Sequence, residues 1–163
     1  MIPTLKSLVC YKRQRGRWPF VLTEDLTVDL GLGLKGQHLF IDRGLSICRL
    51  DGDLFTLFAG YASDGCTPYF GCLLSLRIGT PTPQGTAACS WWIHDAMYQF
   101  GELSCAPWSY AQADDVFFHL LRTYGWKLAS PYHAAVSIFG GIARKLRRNP
   151  STTIACISSH QPR

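Results

Sequence analysis

The sequence predicts an α+β fold, an N-terminal antiparallel β-meander packed against a three-helix C-terminal half. Three observations carry that prediction. Over residues 18–58, β-branched and aromatic residues alternate with polar ones. The same region is cut at short intervals by turn signals. From Thr82 onward the apolar residues recur at helical rather than alternating spacing. At 163 residues and 47% hydrophobic, the chain can build one real core and lies outside the composition of disordered proteins. A single domain is expected over residues 1–150, with no internal repeat and a flexible tail at 149–163.

The elements follow in order. WPFVLTEDLTVDL, HLFID, LSICRL and LFTLF read as three or four strands, separated by LKGQ, Arg43-Gly44 and Asp51-Gly52-Asp53. Asp51-Gly52 is a hairpin signal. Residues 60–83 then form a long loop rich in glycine and proline. The first helix occupies the stretch around AACSWWIHDAMYQFG and is entered near Thr82-Pro83 or Thr86. The second starts at Ser109 as N-cap and ends near Gly125. The third starts at Ser130-Pro131 and runs to the basic turn before Asn149-Pro150, so that the helices span 84–148.

Charge and cysteine content narrow the function classes. Residues 1–20 and 144–163 each hold five cations and no acid, whereas the middle holds eleven acids against six cations. Two basic ends favour a phosphate-bearing surface, an anionic lipid membrane above all; no nucleic-acid-binding motif accompanies them. No apolar run reaches membrane-spanning length, and the N-terminal basic cluster follows its apolar part, the reverse of a secretory signal. Seven cysteines at irregular spacing, without a CxxC pair, read as mostly buried thiols. A Cys66–Cys89 or Cys89–Cys105 bridge is the alternative in an oxidising compartment.

Chemistry concentrates in three short signals. These are Ser63-Asp64-Gly65 in the loop, His94-Asp95-x-x-Tyr98 in the first helix, and Ala113-Asp114-x-x-Phe117 in the second. On a helix His94 and Tyr98 share a face, while Asp95 points about 100° away, so the pair can serve two neighbours. Phe117 and Leu121 lie on the stripe of Asp114, which makes Asp114 the inward acid and Asp115 the solvated one. A histidine held by a carboxylate has a fixed tautomer and can take a proton from water. Asp64, Asp95 and the Gly65 carbonyl make an oxygen-rich set suited to calcium, or another divalent metal, which would stabilise an oxyanion. Together these are the parts of a water-attacking ester hydrolase. His38, His119, His133 and His160 lack an acidic constellation and read as structural or solvated, and Trp91, Trp92, Trp108 and Trp126 as core.

The ordered motifs, G-x-x-SDG-x-x-P, then HD-x-x-Y, then AD-x-x-F, resemble a phage and prophage family of unknown function over roughly residues 18–141. SDGCTP is one residue shorter before its proline than that family's loop. A more distant resemblance is to secreted and bacterial phospholipases A(2). It implies His94 as base, Asp114 orienting it, Tyr98 as support, and Asp95, Asp64 and Gly65 as calcium ligands. Those enzymes carry a cysteine three or four residues before the histidine, where this chain has Trp91 and Ser90. The phage resemblance implies instead a virion, tail or host-interaction component, found in host cytoplasm or virion, in which the same residues brace the helices.

Overall fold

The computed structural model describes residues 11–13, 20–63, 88–101, 103, 105–134, 136–137 and 154–159. Residues 64–83 of the predicted loop, with Asp64 and Gly65, the start of the first helix, the end of the third and most of both basic ends lie outside the described residues. The fold is α+β, with antiparallel sheet first and three helices after it.

Among the described residues eight strands form two antiparallel sheets, and the larger one contains the expected meander. β1 (Tyr11–Arg13), β2 (Phe20–Leu22) and β7 (Ala62–Ser63) make a three-stranded sheet in the order β1-β2-β7. β3 (Leu26–Asp29), β4 (Gln37–Asp42), β5 (Leu45–Asp51), β6 (Leu54–Leu57) and β8 (Ile154–Ser159) make the second, in the order β3-β6-β5-β4-β8. The segment WPFVLTEDLTVDL is therefore split between two sheets. It turns at Glu24-Asp25, where Asp25 accepts the Ala59 amide at 2.8 Å. Arg43-Gly44 is a two-residue turn with both φ angles positive (51° and 80°), the handedness that matches strand twist. Asp53 ties the crossing segment down by accepting the Gly33 and Leu34 amides at 2.8 and 2.7 Å.

Register explains which face is apolar. Val28, Phe55, Leu50 and His38 lie opposite one another across the sheet, as do Leu26, Leu57, Cys48 and Phe40, and all eight are buried. On the other face Thr27 and Thr56 pair hydroxyls at 2.9 Å.

The inner face packs on α1 (Ala88–Phe100) and on the connection that leads to α2 (Tyr110–Thr123). Phe40 stacks on Phe100 at 5.0 Å, and Trp108 meets Phe40 and Phe55, each at 5.5 Å. Trp108 also donates its indole N–H to the Met97 carbonyl at 2.9 Å, satisfying an acceptor at the end of α1. Gly101 is needed here, since a Cβ at that position would lie 2.7 Å from the same carbonyl.

α2 begins as expected, with Ser109 and Gln112 forming a reciprocal capping box. It ends at Gly125, whose φ of +71° permits the turn. Residues 129–134 and 136–137 are helical and constitute α3.

Two expectations are corrected. Residues 154–159 are not a loose tail but the edge strand β8, paired antiparallel with β4 from Gln37↔Ser159 to Asp42↔Ile154. Cys105 is bridged to Cys156, not to Cys89, and Cys89 is a free buried thiol.

A candidate histidine-aspartate site

α1 is buried nearly all round. Cys89, Ser90, Trp91, Trp92, Ile93, Ala96, Met97 and Phe100 are all below 4% exposure, which leaves His94, Asp95, Tyr98 and Gln99 as its half-buried polar side. Those four residues form two adjacent i, i+4 pairs, and each pair faces a different neighbour. His94 and Tyr98 turn toward α2. Asp95 and Gln99 turn toward residues 61–63.

On the α2 side, Asp114 Oδ1 accepts a hydrogen bond from the Tyr98 hydroxyl at 2.6 Å and lies 3.0 Å from His94 Nε2. Asp114 is 7% exposed, so these bonds compensate a carboxylate that water barely reaches. Burial raises its pKa, but the hydrogen bonds from His94 and Tyr98, with the charges of His94 and His133, outweigh it and hold the group below its ordinary 3.8. An ionised carboxylate only accepts, so Nε2 carries a proton, and in the neutral ring the lone pair is then on Nδ1. Among the described residues nothing hydrogen-bonds Nδ1, which leaves that nitrogen available to a water or substrate. The imidazole is held at a tilt between Tyr98 at 4.3 Å and Phe117 at 4.7 Å, with 12% of its side-chain surface open.

On the other side, Ser63 Oγ donates to Asp95 Oδ2 at 2.5 Å and Tyr61 Oη donates to Gln99 Oε1 at 3.1 Å. Ser63 is the first residue of the Ser63-Asp64-Gly65 signal, so that signal begins against the Asp95 carboxylate. Among the described residues no three His, Cys, Asp or Glu side chains group as metal ligands, and Asp64 and Gly65 lie outside them.

The structure thus joins His94, Tyr98 and Asp114 in one network and sets Asp95 on the neighbouring side of the same helix. Asp114 is the inward acid of its pair, as the Phe117 stripe predicts. Asp115 is exposed but not merely solvated: it lies 3.4 Å from His133 Nε2. His133, expected to lack an acidic partner, also stacks on Phe118 at 4.8 Å. Sequence reasoning missed that pair, and the bonds of Ser63 to Asp95 and of Tyr61 to Gln99. Gln99 was legible as the i+4 companion of Asp95. A cleft of about 440 Å³ opens beside the start of α2, lined by Tyr110, Asp114, Asp115 and His133 among others. Trp91, Trp92 and Trp108 are core residues, as expected. No helix among the described residues is long and apolar enough to cross a membrane. Compared with known proteins, the chain matches no family model, no curated sequence and no solved structure.

Proposed function

We propose that this chain is a hydrolase that uses His94 to activate water against an ester, with a phospholipid as the substrate class. One observation carries the reading: a buried, ionised Asp114 holds His94 Nε2 from behind, on a ring that keeps 12% of its side-chain surface open. In that arrangement a water at Nδ1 loses a proton to the imidazole as its oxygen attacks the ester carbon. The imidazolium so formed is stabilised by Asp114, to which Tyr98 donates. The imidazolium then returns the proton to the leaving alcohol. Asp95, with Asp64 and the Gly65 carbonyl, is the set that would hold calcium, which when bound supplies a positive charge for the developing oxyanion. The basic ends of the sequence support an anionic membrane as the place of action.

The test is release of fatty acid from anionic phospholipid vesicles, measured with calcium and with chelator. The reading expects turnover only with calcium, and none in His94→Ala or Asp95→Asn variants that keep the wild-type melting profile. Equal rates in wild type and both variants would remove it.

A second reading has its own support in the burial of Asp114 and the close packing of His94 between two rings. In it the network braces α1 against α2 in a phage virion, tail or host-interaction protein. It expects no response to calcium and a specific protein partner in a pull-down.

A further inference from the structure

β8 is an odd member of its sheet. It comes from the far end of the chain and, among the described residues, pairs with β4 alone, more than a hundred residues earlier, at the sheet's edge. Of its described side chains, Ile157 is 58% exposed on the outer face and Cys156 is half-buried opposite Phe40. Among the described residues two things hold it: the backbone ladder to β4 and the Cys105–Cys156 bridge. The other end of that bridge is fixed independently. Cys105 lies in the α1–α2 connection, which Trp108 secures through its bond to the Met97 carbonyl and its packing on Phe40 and Phe55.

We infer that β8 is a redox latch: reducing the Cys105–Cys156 bond frees β8 from β4 and leaves the core standing. The reaction is thiol–disulfide exchange with a dithiol reductant. One reductant thiolate attacks a sulfur of the bridge, giving a mixed disulfide and one cysteine thiolate. The second reductant thiol displaces the other cysteine, and the reductant leaves as its own disulfide. Its two electrons and two protons end on Cys105 and Cys156 as thiols. The loosened strand then exposes the six-residue edge of β4, a row of backbone donors and acceptors open to strand addition. Such a latch suits a protein that passes between reducing and oxidising surroundings. The inference is independent of any catalytic role for His94.

Hydrogen exchange with mass spectrometry on the full chain tests it, before and after dithiothreitol at neutral pH. Alkylation mapping reports the state of each cysteine. Exchange in peptides covering 37–42 and 154–159 is expected to rise roughly tenfold or more on reduction, while α1 peptides stay protected. Cys105 and Cys156 become alkylated only after reduction, and Cys105→Ser behaves without reductant like the reduced wild type. Should that variant fail to fold, the wild-type comparison still decides. Three results overturn the latch: unchanged exchange in 154–159 after confirmed reduction, alkylation of Cys105 and Cys156 before reductant is added, or loss of protection throughout α1.

Discussion

Replacing Asp114 by Asn removes one charge from the network and little volume, so its cost can be worked from the two bonds at Oδ1. Hydrogen bonds to an ionised acceptor contribute roughly 1.5–3 kcal/mol each, and neutral ones about 1. An asparagine carbonyl can still accept weakly from Tyr98 or His94. The expected loss at pH 7 is therefore about 2–3 kcal/mol, or roughly 5–10 °C in melting temperature for a chain of this size. The pH dependence has a definite sign. Because folding lowers the Asp114 pKa, its contribution is complete above the unfolded value near 3.8 and disappears as pH falls through the lower folded value. The stability difference between wild type and Asp114→Asn should then be constant at neutral pH and shrink below about pH 4. Urea titrations of both proteins from pH 7 to pH 2.5 measure that difference directly. A difference under about 0.5 kcal/mol at pH 7, or one that does not shrink in acid, would refute the claim that an ionised Asp114 anchors α1 to α2.

Tyr98→Phe removes the 2.6 Å bond to Asp114 and should cost about 1–2 kcal/mol in chemical denaturation, with the fold retained. Gly101→Ala forces a methyl to within 2.7 Å of the Met97 carbonyl that Trp108 uses, and should cost about 1–3 kcal/mol with a changed tryptophan emission. Phe40→Ala empties the contact between the sheet, Phe100 and Trp108, and should cost about 3–5 kcal/mol by calorimetry. Cys105→Ser opens a loop with a sequence separation of 51, and chain-entropy arguments set the loss at up to about 4 kcal/mol.

Much of this architecture is written in short-range signals. Ser109 with Gln112 announces the start of α2 because a capping box needs only three residues of separation. Arg43-Gly44 announces its turn for the same local reason. The divergence of His94 and Asp95 follows from helical periodicity alone, and Phe117 and Leu121 single out Asp114 over Asp115 because a stripe is a local pattern. What escaped depends on distant partners. IACISS has no feature of its own that points to β4, and the choice of Cys156 for Cys105 arises only once β8 is seated. β3 lies beside β6 instead of β4, an outcome of how residues 30–36 cross the sheet under the hold of Asp53. The His133–Asp115 pair likewise needs α3 laid against α2.

The central claim is that Asp114 holds neutral His94 with its proton on Nε2 and its lone pair on Nδ1. Nitrogen-15 NMR of the imidazole, run at a pH where His94 is neutral, reads this directly. The account predicts a protonated, pyrrole-type signal at Nε2 and an unprotonated, pyridine-type signal at Nδ1, both altered in Asp114→Asn. The opposite tautomer, or a spectrum that Asp114→Asn leaves unchanged, would contradict it.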